Sequence, residues 1–410
     1  MSRLARLGVH TGLGIVKGSD LDDLAEQTTE VLGSLRGLAT KVGQMLGTVD
    51  GLLPDTLAPA YRRALAKLQD SVTTSAFSDV SRVIEQELGA SPDRLFSSFD
   101  PEPFASASIG QVHRARLADG RTVAVKVQHP GVQRAVMSDL ANARLIERFA
   151  EMLVPKGFDS RKVFDEIAQR FREELDYRIE ARHQRQFREL HGADPEMVIP
   201  DVIPERSARR VLTTELVEGT NLATVLGEPE ALRHRYASTL WRFVYRSILS
   251  GGVFNADPHP GNFLFRPDGT IAFLDFGCVQ AIPDSRRAIA RRAHAAAASR
   301  DERTFAECVH AMLSLRGGSF ERLIQSYTRR AFEPLFASPF RLTHRYVREL
   351  LDEARSAKGL LIRNREPVVP LPPGLALMNR LQFGFYSLLG QLDVSVDYAA
   401  LHRNLLAESS

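Results

Sequence analysis

The chain has 410 residues, 25% charged and 44% hydrophobic, an ordinary globular composition with room for roughly two to three domains. Its net charge of +3 is too small for a general nucleic-acid binder, which concentrates basic residues on one surface. Cys278 and Cys308 are the only cysteines, and no Cys-x-x-Cys is present, so neither a disulfide framework nor a structural zinc site is expected and a reducing, cytosolic setting fits.

The first residues, MSRLARLGVHTGLGIVKGS, are basic but broken by glycine and histidine, which makes a poor signal peptide. They read as a frayed terminus, with peripheral contact to a membrane surface as the alternative. No run approaches the roughly 18–20 apolar residues of a spanning helix, so the chain is expected to be soluble or peripherally attached.

Residues 19–48 are expected to be helical. Ser19 and Asp20 are N-cap candidates, and Leu32, Leu35, Leu38, Val42, Met45 and Leu46 form one apolar stripe. Lys41 and Gln44 lie beside that stripe, and on periodicity alone Lys41 reads as a solvated surface lysine. Helices are expected next over residues 59–69 and 77–88.

The character then changes. Residues 112–117 and 122–128 read as strands joined by Ala118-Asp119-Gly120-Arg121, a strong hairpin signal. The second strand holds Val123-Ala124-Val125-Lys126, a lysine at the end of an apolar strand, as in sites where an ammonium pairs with the α- and β-phosphates of a nucleotide. Before the hairpin lie Ala105, Ser106, Ala107, Ser108, Ile109 and Gly110, a small-residue loop with one glycine where a phosphate-covering loop would stand. Its N–H groups can still donate to phosphate, but alanine and serine restrict φ more than glycine, so the loop should be stiffer.

A long helix is expected over residues 161–190, carrying Glu174, Asp176 and Glu180. Asp176 and Glu180 are one turn apart and can face one partner, while Glu174 and Glu180 are both candidates to hold Lys126. Residues 210–217 read as a strand running into a hinge, whose backbone around Glu215–Val217 would read an adenine edge. The rest is mainly helical: 236–249, 285–313, 320–336, 346–354 and 376–389, with short strands at 263–265 and 271–274 around a Pro267-Asp268-Gly269 turn.

Between these strands and the helix before them stand Asp257 and Asn262, separated by four residues, and then Asp275-Phe276-Gly277. This spacing belongs to phosphoryl-transfer sites of the protein-kinase type. Asp257 would orient or deprotonate an attacking hydroxyl or water, and Asn262 and Asp275 would hold Mg²⁺. His259 reads as structural, Cys278 as packed, and the Leu/Phe/Met-rich stretch 375–389 as core rather than lipid contact.

In this order the parts resemble the UbiB-like (AarF/ADCK) atypical kinases. The match is carried by Lys41-Val42-Gly43-Gln44, the alanine-rich loop Ala105–Val112, Glu174-Leu175-Asp176-Tyr177 with Glu180-Ala181, Ala256–Asn262 and Leu274–Gly277. The chain departs from the family pattern at Asn255, where histidine is usual, and at His183, where asparagine is usual; local packing rather than chemistry is expected to change.

The resemblance implies an α+β, kinase-like two-lobed fold: an N-terminal helical extension over residues 1–98, an N-lobe over 99–218 and a helical C-lobe over 219–410. It implies ATP and Mg²⁺ as cofactors and turns Lys41 and Gln44 into the site, near Glu174 and Asp176. It implies atypical kinase or ATPase activity in isoprenoid quinone, ubiquinone-type, or lipid metabolism, with a lipid or quinone-precursor ligand and no protein kinase activity in trans. The alternatives are a non-catalytic nucleotide-binding module that gates a lipid-biosynthetic complex, and an ordinary protein kinase.

Overall fold

The computed structural model describes residues 74–107, 109–141, 169, 172–313, 318–364 and 375–408. The helices expected over residues 19–48 and 59–69, and with them Lys41 and Gln44, lie outside the described residues, as does Ser108.

Alternation of side chains builds the first lobe. Strands β1 (Ser98–Phe99), β2 (Ala105–Ala107), β3 (Gly110–Arg116), β4 (Thr122–Gln128) and β6 (Val211–Glu215) form an antiparallel sheet in the order β1-β3-β4-β6, with β2 also paired to β3. On β4 the residues Val123, Val125 and Val127 are fully buried. They pack on Val80, Val83 and Ile84 of helix α1 (Phe77–Leu88), together with Phe96, Ala115, Leu117, Ile203 and Val211. Burial of each such valine is worth roughly 1.5–3 kcal/mol. The period of two that buries the valines turns Lys126 to the opposite face. The β3–β4 turn closes with Leu117 N–H donating to the Arg121 carbonyl at 2.9 Å, and Gly120 takes φ of 91°, which explains the glycine.

The second lobe is organised around helix α6 (Glu230–Leu249), in which Tyr236, Leu240, Trp241 and Phe243 are buried. Trp241 Nε1 donates to His402 Nδ1 at 2.9 Å and thereby ties α6 to the closing helix, residues 398–407. Short strands carry the motifs. β8 (Phe263–Phe265) pairs antiparallel with β9 (Ile271–Phe273), which pairs parallel with β5 (Met197–Val198). β7 (Val253–Asn255) pairs with β10 (Val279–Ala281). The Asp257–Asn262 loop therefore leaves β7 and enters β8, while Asp275-Phe276-Gly277 links β9 to β10, and both loops sit at one end of these small sheets.

Three expected long helices are broken, the one over 320–336 at Phe332. In the segment expected to run over 161–190, Asp176 is extended (φ −131°, ψ 91°) and its carboxylate accepts from Arg178 N–H, so a new helix, α4, spans Tyr177–His191. A side chain that caps the backbone competes with helix continuation. The segment over 285–313 divides into α7 (Asp284–Ala298) and α8 (Glu302–Leu313), because Arg300 adopts φ of 62° and Asp301 caps Thr304 N–H at 3.0 Å. Helix α3 (Val132–Ala141) falls where no element was expected. Further on lie α9 (Gly318–Ala331), α10 (Glu333–Phe336), α11 (His344–Asn364) and α12 (Leu375–Leu392). Leu381, Phe385, Leu388 and Leu389 of α12 are buried in the main core, as expected for the stretch 375–389, and Leu392 joins them.

Candidate active site

Lys126 leaves β4 on the face away from the valines and meets α4. Its Nζ lies 2.8 and 2.9 Å from the two carboxylate oxygens of Glu180 and 3.4 Å from Asp275 Oδ2. The side chains of Lys126, Glu180 and Asp275 are 18%, 7% and 35% exposed, so the pair is enclosed and the Asp275 side is the open one. Burial would strip the ammonium of its proton, but the Glu180 and Asp275 carboxylates outweigh it, and the Lys126 pKa is raised well above the ordinary lysine value. Tyr177 lies beneath, with Lys126 Nζ 5.1 Å from its ring centre. Burial pushes its phenol well above the usual range, so it stays neutral.

Of the two glutamates left open by the sequence, the carboxylate that grips Lys126 is Glu180. Glu174 is half-buried in the turn of helix before the break. Asp176 does not share a partner with Glu180, contrary to expectation. The helix break turns it to Arg178, whose Nε and Nη2 donate to it at 2.8 and 2.6 Å.

The alanine-rich stretch is a tight β2–β3 hairpin, with Ala105 opposite Val112, Ser106 opposite Gln111 and Ala107 opposite Gly110. Ile109 is buried, and its carbonyl accepts from His129 N–H at 2.9 Å. A Cβ on Gly110 would lie 2.3 Å from the Val127 carbonyl oxygen and 2.9 Å from the Tyr177 hydroxyl. The single glycine of the loop is therefore fixed by how closely β3 and β4 approach.

At the hinge the expected N–H edge is largely used. Glu215 N–H donates to the Asp201 carbonyl at 2.9 Å and Leu216 N–H to the Thr122 carbonyl at 3.1 Å. The Glu215 carboxylate accepts from Asp201 N–H at 3.2 Å. The strand fold thus engages the N–H groups of Glu215 and Leu216 within the chain.

In the second lobe, Asn262 Nδ2 donates to the Asp257 carbonyl at 3.1 Å and to Asp257 Oδ2 at 3.2 Å. His259 Nδ1 accepts from Gly261 N–H and closes the loop's single 3₁₀ turn. Asp275 Oδ1 accepts from Gly277 N–H at 2.9 Å, while Phe276 is buried against Phe187 with ring centres 5.1 Å apart. Asn255 joins the two loops: its Nδ2 donates to the Asp275 carbonyl at 2.7 Å and its Oδ1 accepts from Asp257 N–H at 3.1 Å. Leu274 N–H to the Asn262 carbonyl (3.0 Å) and Ala256 N–H to the Cys278 carbonyl (2.8 Å) complete the join.

Comparison with known proteins gives the family and the fold. Residues 67–309 match the model of the ABC1 atypical kinase-like domain, more than half of the chain. The chain belongs to the ABC1 atypical kinase-like family. The chloroplastic Activity of bc1 complex kinase 3 of Arabidopsis thaliana is 39% identical over 254 residues, which cover 60% of this chain and 35% of that protein. The mitochondrial atypical kinase COQ8 of Saccharomyces cerevisiae is 28% identical over 391 residues, covering 94% of this chain and 77% of that one. The Rv3197–erythromycin complex from Mycobacterium tuberculosis superposes with a TM-score of 0.66 at 30% identity, covering 94% of this chain and 96% of the other. The chain spans between 32% and 38% of the length of the plant and cyanobacterial family members it matches first. The fold is the α+β, kinase-like one that the family name implies.

Three residues of this family member's site were not singled out by sequence. In the sequence Tyr177 stands only as part of a motif, and Asn255 only as a local packing change. Arg380, on α12, lies 123 residues from Asp257 and places Nη2 2.8 Å from Asp257 Oδ1. The one available signal was a single charge in the apolar stretch 375–389.

A magnesium ion fits the donor set of Asn262 and Asp275. Both offer hard oxygen, and Asn262 is oriented by the bonds its Nδ2 makes to Asp257, which leave its carbonyl oxygen for a ligand. Among the described residues no group of three or more His, Cys, Asp or Glu side chains is arranged to hold a metal. Magnesium bound through one or two side chains and substrate phosphates needs no such cage.

Proposed function

We propose that this chain binds Mg-ATP in the cleft between its lobes and is an atypical kinase or ATPase acting in isoprenoid quinone, ubiquinone-type, or other lipid metabolism. The observation that carries this reading is the enclosed Lys126–Glu180 pair beside Asp275. An ammonium that stays charged and is held by one buried carboxylate is aimed and ready for the α- and β-phosphates. Asn262 and Asp275 would hold Mg²⁺, which would neutralise charge on the phosphate oxygens. Ala105–Gly110 would cover the phosphates with backbone N–H groups, and Val217 would read the adenine edge. Asp257 would orient or deprotonate the attacking water or hydroxyl.

Lys41 and Gln44, outside the described residues, enter the proposal as a cation and an amide that would act on the bound nucleotide, and phosphorylation of protein side chains in trans is not expected. Among the described residues no helix is long and apolar enough to cross a membrane, so contact with a lipid or quinone-precursor ligand is proposed to be peripheral.

A second reading is favoured by one observation. Both carboxylate oxygens of Asp257 accept bonds from the chain itself, which suits a nucleotide-gated module whose hydrolysis is incidental. Turnover of ATP by the purified chain separates the two readings, measured with Mg²⁺, with chelator, and with lipid and quinone-like headgroup compounds. The catalytic reading expects Asp257→Asn to lower turnover about 10²-fold or more while nucleotide still binds. Turnover intact in that variant would leave the gating reading.

A further inference from the structure

Arg380 is the only charged residue between Leu375 and Leu392, and its side chain is 5% exposed. A helix that needed only to pack at this position would use leucine or methionine, because burying a guanidinium is costly unless it is paired. The carboxylate that pairs with it is Asp257, with Nη2 2.8 Å from Oδ1. Arg380 Nε is buried and has no hydrogen-bond partner among the described residues. The guanidinium thus spends its burial on one contact, and that contact is with the residue proposed to act on the phosphate acceptor.

A second contact comes from the same face of the helix. Gly384 is one turn on from Arg380, and a Cβ there would lie 2.4 Å from Pro258 Cγ. Adjacent residues of the loop, Asp257 and Pro258, are therefore gripped by positions i and i+4 of one helix. That helix is itself anchored: Leu381, Phe385, Leu388 and Leu389 are buried, and the Tyr386 hydroxyl donates to the Ala331 carbonyl at 2.9 Å. With Oδ2 accepting from Asn262 at 3.2 Å, the Asp257 carboxylate is held from both sides and its plane is fixed.

We propose that Arg380 is a positioning residue for Asp257, and that α12, through Arg380 and Gly384, sets the acceptor side of the cleft. The inference rests on the reading of Asp257 as the group that orients the attacking oxygen. With Oδ1 and Oδ2 each engaged, the acceptor oxygen must approach a remaining lone pair along one direction, which favours water or a small, unhindered hydroxyl.

The test measures kcat and KM for Mg-ATP hydrolysis, and ADP affinity by direct binding, on the full chain. Arg380→Met is expected to lower kcat on the order of tenfold to a hundredfold while the ATP KM and ADP affinity stay within about twofold, because the Lys126 side is untouched. Arg380→Lys keeps the charge but loses the fork, and is expected to fall between Arg380→Met and the parent. Gly384→Ala pushes α12 off Pro258 and is expected to lower kcat without moving ADP affinity. If Arg380→Met fails to fold, these two variants carry the test. In an Asp257→Asn background the Arg380 changes should add nothing further. The proposal is overturned by an unchanged kcat in Arg380→Met or Arg380→Lys while Asp257→Asn is impaired, or by parallel losses of kcat and ADP affinity in every variant. A different result, Asp257→Asn turning over normally, would remove the catalytic reading beneath it.

Discussion

The two halves of the cleft are built on opposite electrostatic plans. On the nucleotide side one cation, Lys126, meets two carboxylates, Glu180 and Asp275, of which Asp275 is the more open side chain. On the acceptor side one carboxylate, Asp257, meets one guanidinium, Arg380, and the charges cancel behind a packed helix. The difference teaches which half awaits a ligand. The more open carboxylate at Asp275 suits the proposed divalent cation and its phosphates, whereas the Asp257–Arg380 pair lies against a packed helix and suits the proposed role of fixing direction.

The largest expected effect breaks the nucleotide half. Lys126→Met leaves Glu180 buried without its cation, which should cost about 3–5 kcal/mol in denaturant unfolding. ATP affinity should fall sharply in the same variant, while the Asp257–Arg380 pair is untouched. A variant that lost neither stability nor nucleotide affinity would end the comparison.

Asn255→Ala sharpens it next, because Asn255 is the side chain that joins Asp275 to Asp257. Removing both of its bonds should cost about 1–3 kcal/mol and reduce ATP turnover more than ADP affinity, as the two loops lose their common register. Equal losses in binding and turnover would show that the halves are not joined through this residue.

The effect that is smallest within any one pH unit is a pH response. His191, at the far end of the helix that carries Glu180, is buried, and burial pushes its pKa down to about 3, with the Arg246 charge acting in the same direction. The folded value lies below the unfolded one near 6.5, so its contribution is fully present above about pH 6.5 and is lost as pH falls towards 3. The slope should be about 1.4 kcal/mol per pH unit, and His191→Gln should flatten it. Nucleotide affinity should weaken with α4 while the Arg380 contact, held by α12, persists; an unchanged slope in the variant would sink this assignment.

Local chemistry made much of this legible beforehand. The Asp-Gly turn and the alternation of Val123, Val125 and Val127 declare a hairpin with Lys126 on the opposite face, because side-chain direction in a strand follows from parity alone. The fixed spacings of Asp257, Asn262 and Asp275 declare the loops. The broken helices were not legible, because Asp176 and Asp301 are as compatible with a helix surface as with a cap until the backbone leaves the helical region. Asp176 then turns out to serve Arg178, not the cleft.

The sequence by itself determined the kit of parts: a lysine strand, a small-residue loop, acidic residues in a helical segment, and two loops with a fixed count of residues between their polar groups. These are short-range properties, set by propensity and periodicity within a few residues. Tertiary structure alone decided the partners. Glu180 rather than Glu174 reaches Lys126 because a cap at Asp176 resets the phase of the helix, and Gly110 is required because Val127 passes within reach of any Cβ there. Arg380 reaches Asp257 across 123 residues because the core that buries Phe385 and Leu389 delivers it there, and no local pattern encodes where a packed helix will come to rest.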